Sequence, residues 1–204
     1  SETWLNQDVS NDKLQLDGFQ GPFRCDRQSG EPYGGSAIYV SNNIPVKERH
    51  DLYHHEVEGI WIELLTTHER NVLIGCLYRP PNATNNQWKA IEDCLTNAKS
   101  DNNCHVLVMG DLNCDVLVQN AKISEILDNL HMGQLIRTPT HILPASSTLI
   151  DIAATTCTDL IESSEVLSPS LSKHSDISVI LNLKLKKTHS VTKHIFDYNK
   201  ANNK

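Results

Sequence analysis

The sequence predicts an α/β fold of the α+β kind: a sandwich of two mixed, largely antiparallel sheets flanked by helices. Three observations lead there. Short β-patterned runs outnumber helical stripes, and consecutive runs lie close enough to pair locally. The 204 residues show no internal repeat and no shift of composition, so one domain with one substantial core is expected.

Residues 35–40 read as a strand, followed by a polar, proline-containing loop over 41–56. Residues 57–65 and 72–78 are β-rich runs separated by the polar segment 66–71, the pattern of an antiparallel hairpin. Past Pro80 and Pro81, Trp88, Ile91, Leu95 and Ala98 recur at helical spacing, with Thr84 placed to cap the helix. Residues 104–109 form a compact apolar strand ending in Gly110-Asp111-Leu112-Asn113, after which Ile123, Ile126, Leu127 and Leu130 repeat the helical stripe. The β pattern returns at 149–155, briefly near Val166, and at 177–181, with Leu183 and Leu185 continuing the alternation. The domain is expected to span 1–185, and 186–204 to be a polar, aperiodic linker.

Composition removes several function classes. With 39% apolar and 21% charged residues, the chain is too apolar to be disordered. No apolar run approaches the roughly 20 residues that cross a bilayer, and the first residues lack a signal-peptide layout. An intracellular protein with no membrane partner is therefore expected. The six cysteines are scattered without a C-x-x-C pair, which reads as reduced thiols packed as small hydrophobes. A net charge of −7 opposes tight nonspecific binding to nucleic acid, because phosphate contacts come from Lys and Arg. An enzyme that holds DNA briefly through a local positive patch and a bound metal ion remains compatible with it. Ser1-Glu2-Thr3-Trp4-Leu5 carries no initiator Met and already looks structured, so the chain is expected to be a fragment.

Four segments carry chemistry. Gly110-Asp111-Leu112-Asn113 delivers an acid and an amide to the end of a strand; the acid can take a proton from water or sit by a metal, and the amide can orient it. Asp and Asn are also ordinary turn formers there. Glu2 sits in a largely apolar stretch, where a hard cation such as magnesium would give it a reason; a solvated terminal Glu is the alternative. In Leu77-Tyr78-Arg79-Pro80-Pro81-Asn82, two prolines stiffen a loop that can present Tyr78 and Asn82 to a phosphate, with Arg79 gripping the nucleic-acid backbone as a fork. Finally, Asp151 lies inside an apolar strand and His174 precedes the last one, so an Asp151–His174 pair is plausible, with the acid fixing the imidazole tautomer.

In order, S-E-T-W-L, G-G-S-A-I-Y-V, G-I-W-I-E-L, L-Y-R-P-P-N, G-D-L-N, S-S-T-L-I-D and S-K-H before a last strand resemble the apurinic-type endonuclease domain of non-LTR retrotransposons, in the exonuclease–endonuclease–phosphatase superfamily. The resemblance implies a four-layer sandwich, with Glu2 as the ligand of Mg2+, Mn2+ being an alternative. It further implies that Asp111 activates water with support from Asn113, that Tyr78 stabilises the phosphate or leaving oxygen, and that His174, oriented by Asp151, contacts the scissile phosphate. The expected reaction nicks DNA and leaves a 3′-hydroxyl that primes a reverse transcriptase of the same polyprotein, which places the parent in the nucleus.

Two departures qualify this expectation. The family opens with a strand carrying an Asn near the metal, and this chain is expected to start after it. Its closing S-D-H is Ser172-Lys173-His174 here, because the alternative register Ser175-Asp176-Ile177 loses the imidazole. Lys173 repels a metal at short range yet can contact a DNA phosphate as a point charge. Weak or absent catalysis is therefore expected. A catalytically decayed nucleic-acid-binding or scaffold module, and a phosphatase of the same superfamily, are the competing functions.

Overall fold

A computed structural model describes residues 1–27, 33–68, 70–169 and 172–186. Its strands are β1 (Phe19–Cys25), β2 (Ser36–Ser41), β3 (Val46–Glu48), β4 (Glu58–Leu64), β5 (Asn71–Tyr78), β6 (Cys104–Asp111), β7 (Gly133–Gln134), β8 (His141–Leu143), β9 (Ser146–Thr148), β10 (Asp151–Thr155), β11 (Ile161–Val166) and β12 (Ile177–Leu181). The helices are α1 (Asn85–Ser100) and α2 (Lys122–Asn129), joined by three short 3-10 turns. The linker expected over 186–204 lies, but for Lys186, outside the described residues.

The central sheet runs β3-β4-β5-β6-β10-β7. Its β5–β6 ladder is parallel and the others are antiparallel. The parallel pair needs a crossover, which α1 supplies. Alternation along each strand then sorts the side chains. Leu73 and Leu77 of β5, Val106 and Val108 of β6, and Ile152 and Ala154 of β10 face the helices, packing with Trp88, Ile91 and Leu95 of α1 and Ile123, Ile126 and Leu127 of α2. Trp61 of β4 lies opposite Gly75 in the ladder, where any Cβ would meet its indole ring.

The other face of the sheet carries two ribbons. The β11–β12 hairpin brings Val166, Ile177 and Val179 onto Ala153 and Met109. The β1–β2 hairpin packs over β4 and β5. The expected sandwich is thus observed, and among the described residues its second layer consists of separate two-stranded ribbons.

Both expected helices form, and Gln87 accepts from the Thr84 backbone N–H at 3.1 Å as the N-terminal cap requires. Three strand expectations need correction. The loop expected over 41–56 contains β3 and a 3-10 turn, His50–Leu52. The strand β1 escaped the pattern because Gly21 and Pro22 sit at an irregularity in its pairing, and Gly-Pro reads as a turn. The last strand stops at Leu181, and Leu185 instead bridges to Thr66 beside the β4–β5 turn.

Candidate active site

Register assembles the site. Tyr78 closes β5, Asp111 closes β6 and Asp151 opens β10. The β5–β6 ladder sets Tyr78 opposite Asp111, and the β6–β10 ladder sets Asp111 opposite Asp151. Three side chains therefore stand in a row on the face turned away from α1 and α2.

Two further residues arrive from outside that sheet. Tyr78 Oη donates to Glu2 Oε1 at 2.6 Å. His174 Nδ1–H donates to Asp151 Oδ2 at 2.9 Å, forming the pair expected from the sequence. Ligand atoms of Asp111, Asp151 and His174 all lie within 4.8 Å of one another. With Glu2, Trp4 and Ile177 they line a cleft of about 750 Å3.

Asn113 shapes the acid beside it. It adopts a left-handed φ of 47°, which Asn tolerates better than most residues. Its backbone N–H donates to Asp111 Oδ1 at 2.8 Å, and its side-chain amide donates to the Arg79 carbonyl at 2.9 Å. The local turn thereby aims the carboxylate.

The electrostatics follow from burial. Asp111 is 3% exposed, and burial first, then the neighbouring Asp151 carboxylate, pushes its pKa up to about 6 against the opposing Asn113 N–H. The hydrogen bond to Asp151 raises the His174 pKa, with burial opposing. Burial and the Glu2 carboxylate raise the Tyr78 phenol, so it stays a proton donor at neutral pH. Glu2, Asp111 and Asp151 offer hard oxygen donors at one cleft, and Asp111 is a buried acid whose anion lacks a sufficient counter-charge. That donor set fits magnesium.

Sequence reasoning missed two residues here. Thr140 is fully buried; its Oγ1 accepts from Asp151 N–H at 3.1 Å and its carbonyl accepts from Ser175 N–H at 2.6 Å, so it fixes both partners of the Asp–His pair. The His141 ring lies 4.7 Å from that of His174, across an isolated bridge between the two residues. The Thr138-Pro139-Thr140-His141 run has no period and no apolar stripe, so nothing local marks it.

The DNA contacts expected of the proline loop and the S-K-H motif divide differently. Arg79 is a correction: it is 7% exposed, its guanidinium faces backbone carbonyls and the Trp88 ring, and it does not reach outward as a phosphate fork. Asn82 is exposed past β5 and does not line the cleft. Lys173 is exposed between the cleft-lining Ser172 and His174.

The sequence profile of the endonuclease/exonuclease/phosphatase family matches residues 1–143. The chain belongs to this family. Asp151 and His174 lie beyond the matched stretch, and the fold brings them beside Asp111. Members of the endonuclease/exonuclease/phosphatase family are hydrolases of phosphate esters, and this chain carries their fold. The endonuclease domain of TRAS1, a telomere-specific non-LTR retrotransposon, superposes with a TM-score of 0.67 at 16% identity, over 82% of each chain. A mannosyl-6-phosphatase of Bacteroides thetaiotaomicron gives 0.60 at 14% identity, over 84% of this chain and 79% of that one. The human Nocturnin catalytic domain gives 0.55 at 14% identity, over 88% and 79%. At such identities the likeness is one of fold. No curated protein matches the sequence.

Proposed function

We propose that this chain is a magnesium-dependent endonuclease domain that nicks DNA, as part of a non-LTR retrotransposon protein. The observation that carries the reading is the row of Tyr78, Asp111 and Asp151 on one sheet face, joined by Glu2 and His174 in a single cleft. The ordered motifs support the retrotransposon branch over a phosphatase. The open cleft, flanked by the exposed Trp4 and by the β8–β9 hairpin, suits an extended polymer.

Hydrolysis divides among the residues as follows. Asp111 accepts a proton from the attacking water as its oxygen bonds to phosphorus, while Asn113 keeps the carboxylate aimed. The P–O3′ bond breaks, and the departing 3′ oxygen takes a proton to leave a 3′-hydroxyl and a 5′-phosphate. Asp151 accepts from His174 Nδ1–H and raises its pKa, and the doubly protonated ring then donates Nε2–H to a phosphate oxygen. Tyr78, kept protonated, donates toward the phosphate or leaving oxygen once Glu2 turns to a cation. Glu2 with the neighbouring carboxylates would hold Mg2+, which when bound neutralises charge on the phosphate. The 3′-hydroxyl would serve a reverse transcriptase in the same polypeptide, acting in the nucleus.

Nicking of supercoiled plasmid tests the reading. Magnesium-dependent open circles, lost with chelator and in Asp111→Ala and His174→Ala, are expected. Hydrolysis of small phosphate esters without nicking would favour a phosphatase. Magnesium-dependent DNA binding without hydrolysis would favour a decayed binding module.

A further inference from the structure

We propose that Arg79 is a positioning residue for the proposed active site: a buried clamp on the Asp111-Leu112-Asn113 turn that acts through Asn113 on the Asp111 carboxylate and does not touch DNA.

All three residues of the turn are tied to Arg79. Its backbone N–H donates to the Asp111 carbonyl at 2.9 Å, and its carbonyl accepts from the Asn113 amide at 2.9 Å. Its Nη1 donates to the carbonyls of Leu112 at 3.1 Å and Asn113 at 3.4 Å. Nη2 reaches the other way, to the Ala83 carbonyl at 3.2 Å, at the entrance to α1. The guanidinium carbon Cζ lies over the Trp88 ring, 4.2 Å from its centre, in the first turn of the same helix. The first two bonds come from the backbone of Arg79; its side chain adds the link that bolts the carbonyls of Leu112 and Asn113 to the start of α1.

A structural role alone explains this poorly. Among the described residues Arg79 has no carboxylate partner, and a buried cation without one is costly; a methionine would fill the space under Trp88 more cheaply. What only a guanidinium supplies is a planar fork that donates in two directions at once. The turn needs such a hold, because Asn113 sits at a left-handed φ and its N–H is what aims Asp111 Oδ1. Lysine keeps the charge and most of the stem but cannot span both sets of carbonyls.

The test compares the intact chain with Arg79→Lys and Arg79→Met. Three readouts are taken: the nuclear magnetic resonance signals and hydrogen exchange of the Asn113 amides, the kcat and KM of plasmid nicking, and DNA affinity against salt. Both variants are expected to move the Asn113 side-chain amide signals and speed exchange of its backbone N–H. Both should lower kcat by roughly ten- to a hundredfold with KM and salt slope unchanged, lysine giving no rescue. A rise in KM with a salt slope smaller by about one would show a DNA contact and overturn the proposal. So would a lower Tm with Asn113 and kcat unmoved, or full rescue by lysine. If Arg79→Met does not fold, Arg79→Lys decides alone. The kcat readout rests on the endonuclease reading; if the wild type does not cleave DNA, that reading fails while the Asn113 signals still decide the role of Arg79.

Discussion

Asp111 is the residue on which burial and chemistry press hardest. Its pKa of about 6 lies above that of an unfolded aspartate, near 4, so the folded chain binds the proton more tightly. The sign follows directly: stability contributed by protonated Asp111 is fully present below about pH 4 and is lost as pH rises through about 6. In metal-free protein the Asp111 carboxyl should therefore titrate near 6 by carbon nuclear magnetic resonance, and Mg2+ should lower that midpoint. A midpoint insensitive to Mg2+ would remove Asp111 from the metal site. His174 pushes the same way, since Asp151 raises its pKa and its share of stability fades as pH rises through the folded value. Lys173 is the residue expected to weaken the proposed site. Exposed charge pairs are worth under about 1 kcal/mol, so Lys173→Asp should tighten Mg2+ binding by roughly two- to fivefold and raise nicking in step. Calorimetric titration with Mg2+ checks the first part, and unchanged affinity would show that Lys173 does not sense the ion.

At the scale of elements, the parallel β5–β6 pair is what places the chemistry. Gly110 sits one residue before Asp111 at a φ of 144°, where a Cβ would run into the Leu77 carbonyl across the ladder. Gly110→Ala should accordingly cost several kcal/mol or shift Asp111 out of line with Tyr78, seen as a lower Tm with loss of nicking. Leu95 of α1 is fully buried against the sheet, and Leu95→Ala should cost about 2–5 kcal/mol in chemical denaturation while leaving the site geometry intact. Both helices were legible in the sequence because their stripes are local, with Trp88, Ile91 and Leu95 recurring within one segment. The strand β1 was not, because Gly21 and Pro22 carry a turn signal that tertiary pairing with β2 overrides.

Over the whole molecule, a net charge of −7 bears on the proposed DNA binding. An acidic surface gains little from counterion release, so Mg2+ bound in the cleft would supply much of the attraction. DNA affinity of Tyr78→Phe, which weakens turnover without removing a metal-ligating oxygen, should thus rise when Mg2+ is added and fall with chelator. Fluorescence anisotropy checks it; the opposite trend would mean that a basic patch, not the ion, holds the polymer. Buried Arg49 shows how the fold uses its cations: besides its neighbour Asp51 it bridges Glu63 and Asp101, and the last of these ties the β3 end of the sheet to the end of α1.

The sequence by itself determined the fold class, the two helices and most strands of the sandwich, and it singled out Glu2, Tyr78, Asp111, Asn113, Asp151 and His174, which the structure brings together. Those follow from local periodicity and from motif order. Only the tertiary structure decided which of them meet, because register across three strands aligns Tyr78, Asp111 and Asp151 over long separations. It also decided what Arg79 is. A guanidinium beside two prolines looks like a phosphate grip in one dimension, and burial under Trp88 against three carbonyls makes it a strut, since burial is a property of neighbours the sequence does not place side by side.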